Sequence, residues 1–222
     1  QDELRGVQAS LEREEDRFLI RNGNGPMVAA AVQRMGGRIV DRIHVEDDRT
    51  STIAAFRDAV ERSDLVVTIG GVSVGDRDHV PEAWSRLGFE RGNQGVRLQP
   101  GRPFAWWTRD DGGRAVGLPG NPVSALVTAH LFVRCWIEAG LGLDPEASWR
   151  EVRLDGPVRR NPHRPMARPA TLRMEGGEVR ATVPVWQGSG DLAHLAGTDG
   201  VVMIDHGDAE AAAGSIVRFL PW

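Results

Sequence analysis

Two glycine-rich turns carry most of the chemistry this sequence offers. The first, Gly70-Gly-Val-Ser-Val-Gly-Asp-Arg-Asp78, follows a β-branched run, and the second is Gly117-Leu-Pro-Gly-Asn-Pro-Val-Ser124. Glycine lets the backbone approach a ligand without an intervening Cβ, and successive N–H groups can face one concavity that attracts an anion. In the first turn Gly70, Gly71 and Gly75 give that freedom, Ser73 adds a hydroxyl, and Asp76 and Asp78 add carboxylates able to hold a metal ion or orient a hydroxyl. A plain strand-to-helix connection, with Asp76 or Asp78 capping a helix near Pro81, accounts for the same residues. In the second turn a helix with Asn121 as its N-cap and Pro122 as its first residue presents free N–H groups and the positive end of its dipole to a phosphate or oxyanion. A well-capped helix and nothing more is the alternative. Neither spacing is that of a Walker loop or of GxGxxG, so nucleotide binding of those two kinds is unsupported.

Between the turns, Gln99-Pro-Gly-Arg-Pro103 presents Arg102. A guanidinium beside two N–H-rich turns raises the local potential where the whole chain, at a formal charge of -4, does not. Asp47-Asp48 ends a predicted strand and faces the same crevice, although capping of the next helix explains one of the pair. The two turns are expected to end neighbouring strands and to converge on a shared oxyanion pocket lined by Arg102 and Asp78, since ligands of open parallel sheets bind beyond the carboxyl ends of the strands.

The elements that must hold these residues follow from periodicity. Met27, Ala30, Ala31 and Met35 step along a helix introduced by Asn24-Gly25-Pro26 and stopped by Gly36-Gly37. Residues 38–45 read as a strand, 50–62 as an amphipathic helix, 65–69 as a strand buried on both faces, and 81–87 as a short helix. Asp110-Asp-Gly-Gly113 marks a hairpin between 104–107 and 114–116, and 123–139 reads as a buried helix. From about 149 onward short alternating runs separated by glycines indicate a small β-barrel-like module. The expected architecture is therefore a three-layer α/β/α domain with a mainly parallel sheet over 1–146, followed by a small all-β domain over 147–222.

Composition bounds the function classes. The sequence is 41% hydrophobic and 26% charged, an ordinary globular balance. All 27 basic residues are arginine and tyrosine is absent, which excludes Schiff-base lysine chemistry and a tyrosine acid. The acidic balance gives no general pull toward nucleic acid or an anionic membrane, and no run approaches the roughly 18 apolar residues of a span. Cys135 lies mid-helix and reads as core, and the six histidines are scattered. Arg159, Arg160, Arg164 and Arg168 interleave with prolines in a basic tract that reads as a solvated loop, with an acidic partner as the other possibility. Trp106-Trp107 reads as packing on both faces of a strand.

Taken together, Ile20-x-x-x-Asn24-Gly-Pro-Met27, Asp47-Asp48, the turn at 70–78, Pro100-Gly-Arg-Pro-Phe104, the turn at 117–125 and Gln187-Gly-Ser-Gly190 resemble, in order and spacing, the molybdopterin molybdenumtransferase family, which includes MoeA proteins and the gephyrin E domain. The resemblance implies insertion of molybdenum from molybdate into adenylylated molybdopterin, with release of AMP and with Mg²⁺, by a cytoplasmic enzyme that is a homodimer in its full-length form. Carried over by motif position, Asp78, Asp48, Asp47, Arg102 and Glu3 form the catalytic set, and Asp78 and Asp48 hold the metal. Gly70, Gly71, Ser73, Gly75, Asp76, Gln99, Gly101, Pro119, Gly120, Asn121, Ser124 and Ser189 line the pterin substrate. Where the family has Lys-Pro-Gly-Lys-Pro, this chain has Gln99 and Arg102. The chain opens at Gln1-Asp-Glu-Leu, where the family has already passed the first strand of this domain, so a piece of a longer chain is expected. A non-catalytic pterin-binding or scaffold module is the alternative.

Overall fold

The computed structural model describes residues 4–5, 20–46, 48–72, 79–93, 95–185 and 188–222. It divides into two compact units, Gln1–Gly95 with Pro103–Gly120, and Val96–Arg102 with Asn121–Trp222. The helical run after Asn121 thus groups with the C-terminal strands, while the strands themselves begin at Arg150, close to the break read from sequence.

The first unit contains β1 (Leu4–Arg5), β2 (Ile20–Arg21), α1 (Asn24–Arg34), α2 (Arg49–Arg62), β3 (Val66–Ile69), α3 (His79–Arg86), β4 (Glu90–Arg91), β5 (Ala105–Thr108) and β6 (Arg114–Leu118). Its main sheet runs β3-β6-β5-β4. Only β3–β6 is parallel there; β5–β6 and β4–β5 are antiparallel. The expectation of a mainly parallel sheet is corrected to a mixed one, because the hairpin at 109–113 forces β5 and β6 to run in opposite directions. Asp111 fixes that turn by accepting from the Gly113 N–H at 3.0 Å and from Arg109. Residues 38–46 pair with no strand among the described residues, and Val40 and Ile43 are 43% and 49% exposed. An alternating apolar run becomes a strand only where a neighbour takes up its backbone groups.

Trp84 is the centre of this unit's core, fully buried on the inner face of α3 and stacked on Phe56 of α2 at 4.3 Å. Phe89 and Trp107 close round it at 4.8 and 6.3 Å. The two adjacent tryptophans of β5 do face opposite ways: Trp107 is buried, whereas Trp106 is half-exposed and lies against Gly92, where an added Cβ would stand 2.1 Å from its ring. Asn93 extends the sheet edge with its side chain, donating to Phe104 O and accepting from the Trp106 N–H.

The second unit contains α4 (Pro122–Thr128), a π-helical segment (Ala129–Val133), α5 (Arg134–Gly140), a 3₁₀ turn (Pro145–Ser148), β7 (Arg150–Leu154), β8 (Met166–Glu175), β9 (Glu178–Thr182), α6 (Leu192–Leu195), β10 (Gly200–Ile204) and β11 (Ile216–Pro221). The five strands close a barrel in the order β10-β11-β7-β9-β8, with only β7–β9 parallel. Leu154, Val202, Ile204 and Phe219 fill it, as inward positions of alternating strands must when closure leaves no edge. Within residues 147–222, read from sequence as all-β, the four-residue helix α6 is added to the strands. Cys135 is half-buried and donates to Leu131 O, and burial pushes its thiol up from its usual range, in line with a core role. No helix among the described residues is long and apolar enough to cross a membrane.

Candidate functional site

In the first unit the turns after β3 and β6 meet. Because these strands are parallel neighbours in register Ile69 to Leu118, both turns leave at the same end of the sheet. The Gly70 N–H donates to Leu118 O at 2.9 Å, and a Cβ at Gly120 would stand 3.7 Å from Gly70 Cα. Gly70 and Gly71 both take positive φ, +82° and +67°, a conformation that favours glycine and leaves the turn bare of side chains. Pro119 is buried beneath Gly120, which is exposed.

Asn24 closes the same spot: its Nδ2 donates to Gly120 O at 2.6 Å. Sequence spacing made Asn24 a capping residue. Instead Gly23 takes the N-cap position and Asn22 Oδ1 accepts from the Gly25 N–H, which frees Asn24 for a contact 96 residues away. The signal was present in Asn24-Gly-Pro26, but a helix cap and a long-range clamp leave the same local imprint.

Asp48 caps α2: its Oδ2 accepts from the Ser51 N–H and Oγ, both at 2.7 Å. Those bonds, the backbone one first, hold its carboxyl below the usual range, and the charge of His79 adds to this. Arg49 pairs with Glu82 at 2.9 Å, so the first turns of α2 and α3 lie side by side and Asp48 borders the start of α3 just after residue 78. Glu3, Asp47, Ser73, Gly75, Asp76 and Asp78 lie outside the described residues. Among the described residues no group of three or more His, Cys, Asp or Glu side chains gathers to hold a metal.

In the second unit two further clusters form. Asn121 holds the N-cap position of α4, but its side chain makes no capping bond and donates to Ser189 Oγ at 2.7 Å. Ser189 O in turn accepts from the Val123 N–H at 3.1 Å. With Pro122 lacking an N–H and that of Val123 engaged, the helix start is less open to an anion than its sequence suggests. Ser124 is buried, and its carbonyl accepts from Thr128 Oγ1.

The second cluster is the 96–102 turn. Gln99 bridges to Met166, with its N–H on Pro165 O and its carbonyl taking the Ala167 N–H. Its side-chain Oε1 accepts from Asn161 Nδ2 at 2.6 Å. Gly101 has φ +120° and packs so close to Thr128 that a Cβ would lie 2.6 Å from its methyl, while Arg102 is exposed. Asn161, which sequence reading passed over, fixes the Gln99 side chain. Its Asn-Pro pair signalled only a turn.

The family described as a probable molybdopterin binding domain matches residues 10–139, and the MoeA C-terminal region (domain IV) matches 151–222. A molybdopterin molybdenumtransferase of Synechocystis is 29% identical over 206 residues, covering 91% of this chain and 50% of its own length. Molybdopterin molybdenumtransferase 2 of Mycobacterium tuberculosis is 33% identical over 206 residues, covering 88% and 49%. A crystal structure of a molybdopterin biosynthesis MoeA protein from Pyrococcus horikosii superposes with a TM-score of 0.78 at 27% identity, over 99% of this chain and 51% of that one. The chain thus spans about half the length of the relatives it matches. Since the first match alone covers more than half of its residues, the chain belongs to the molybdopterin-binding domain family, and it carries a MoeA C-terminal region after that domain.

Proposed function

We propose that this chain is the pterin-binding and barrel portion of an enzyme that inserts molybdenum from molybdate into adenylylated molybdopterin and releases AMP. The observation that carries the reading is the meeting of the Gly70-Gly71 turn with Gly120, three residues without a Cβ, at the ends of parallel neighbours β3 and β6, clamped by Asn24. Such a turn accepts the phosphate groups of a pterin nucleotide because no Cβ stands between ligand and backbone N–H. Asp48, beside the start of α3, and Asp78 would hold Mg²⁺, which when bound would polarise the phosphoanhydride. The part of this chain is to bind and orient: glycine turns for phosphate, the exposed Arg102 for an oxyanion. A cytoplasmic location, a homodimeric full-length enzyme and a three-layer α/β/α first domain complete the reading, as the resemblance to the family implies.

The test is AMP release by the full-length product given adenylylated molybdopterin, molybdate and Mg²⁺. Release that rises with molybdate is expected; pterin binding with no AMP at any molybdate concentration overturns it. One observation favours the second reading, a pterin-binding or assembly module without turnover: Gln99, where the family has lysine, is neutral and already bonded to Asn161. Substituting Gln99→Lys sets donor against donor, since lysine accepts no hydrogen bond. AMP release that climbs in Gln99→Lys sinks the module reading; unchanged, absent turnover with pterin affinity retained supports it.

A further inference from the structure

The arginines of the segment at 157–167 are not among the residues assigned to the reaction above. We infer that it is a docking surface for a partner protein presenting a compact carboxylate-rich patch. The segment carries Arg159, Arg160, His163 and Arg164 and no acidic residue, in a chain whose formal net charge is -4. Arg159 and His163 are exposed, and Arg160 and Arg164 are half-buried.

A solvated charge run would be loosely held, and this one is not. Asn161 Oδ1 accepts from the N–H groups of His163 and Arg164 at 2.8 and 3.2 Å, and its Nδ2 donates to Gln99. Val158 bridges to Ala211, and the Gly207 N–H donates to Asn161 O at 3.0 Å. Arg97 donates from Nε to His163 O at 2.7 Å and adds a fourth guanidinium. With the backbone fixed before any partner arrives, less ordering entropy is lost on binding.

Among the described residues these charges also meet no carboxylate, and β8 provides the contrast within one strand. Near its Glu175 end, Arg173 meets Asp155 and Glu175, Arg180 meets Glu175, and Arg153 meets Glu178. Near its Met166 end, Arg97, Arg159, Arg160 and Arg164 meet no carboxylate among the described residues, and Arg160 Nε is buried with no acceptor there. Guanidinium groups gathered on one short segment without carboxylate partners sum to a local positive potential and favour forked contacts with carboxylates.

The neighbouring loop selects the class of partner. Residues 205–210 run alongside, joined at Gly207, and carry Asp205, Asp208 and Glu210, all exposed. These acids bound the cationic surface, so an extended phosphate backbone or a planar anionic membrane would meet repulsion at its rim. Neither segment holds a phenylalanine, tyrosine or tryptophan on which a base could stack. A folded protein with carboxylates at the centre of its patch and cations at the edge matches both signs. The inference does not depend on molybdenum insertion.

The experiment titrates the protein with three probes: a short peptide with a glutamate-rich centre and lysine-flanked ends, a duplex DNA of similar length, and vesicles containing phosphatidylserine. Peptide binding that weakens with salt is expected, and it should fall about tenfold or more in Arg159→Glu/Arg160→Glu/Arg164→Glu. Arg173→Gln, at the compensated end, should leave it unchanged. Peptide affinity that survives the triple substitution, or no measurable peptide binding, overturns the inference. So does tighter binding of DNA or vesicles than of peptide. Should the triple variant fail to fold, Asp205→Lys/Asp208→Lys supplies the second test: peptide affinity must drop while DNA affinity rises.

Discussion

The candidate chemistry sits on two clusters built in opposite ways. In the sheet unit, Gly70, Gly71 and Gly120 make a site out of backbone, defined by atoms that are missing, and a core of large aromatic rings holds it. In the barrel unit, Asn121 with Ser189 and Gln99 with Asn161 are joined side chain to side chain over a core of smaller aliphatics. The first kind of site is broken by adding a methyl group, the second by taking a polar atom away. The first should therefore fail through packing and the second through lost hydrogen bonds, which differ in size.

The largest effect tests the aromatic support. Trp84→Ala empties the space between Phe56, Phe89 and Trp107 and is expected to cost about 3 to 5 kcal/mol, read from denaturant unfolding. A loss below about 1 kcal/mol would mean that the aromatic cluster does not hold the sheet unit. Next comes the addition of one methyl group. Gly117→Ala places a Cβ 2.3 Å from Val72 Cγ1, closer than non-bonded carbons approach, and should cost about 1 to 3 kcal/mol in the same measurement. If Gly117→Ala is neutral, the sheet unit is not sensitive to added atoms and the contrast is wrong. Removing a polar atom should matter less: Ser189→Ala deletes the acceptor for Asn121 but keeps the carbonyl bound to Val123, for about 0.5 to 1.5 kcal/mol.

The smallest effect is a pH dependence. The Arg109 side chain, then the Gly113 N–H, hold the Asp111 carboxyl down to about 2, against about 3.9 in an unfolded chain. A depressed folded value means that the contribution is complete above about pH 4 and disappears as pH falls toward 2. Asp111→Asn should flatten that part of the stability profile, and an unaltered acid limb in an unfolding titration would show that this exposed pair contributes nothing.

Local grammar made much of the fold legible. Asp48 ahead of a helical period and Asp110-Asp-Gly-Gly113 between apolar runs each fold as their residue types dictate, because the deciding bonds lie within a few residues. Long-range choices were not legible. Residues 38–46 have the alternation of a strand yet pair with none that is described, and Asn24 looks like a cap but reaches Gly120. At the candidate site the glycine turns were visible because glycine is needed locally. The partners that fix Gln99 and Asn121 were not, since nothing near either residue in sequence names Asn161 or Ser189.

The π-helical segment at Ala129–Val133 sets the phase of everything after it. One extra residue within a helical run rotates the following side chains by about 100° relative to an uninterrupted α-helix. Arg134 follows at once, and from that angle it reaches Pro221 O and Glu138 while Ser148 bonds Glu138 from the next turn. Shortening the segment by a residue would turn that guanidinium a quarter-circle from Pro221 O while Glu138 turned with it, so the barrel's last strand is moored by a miscount in the helix.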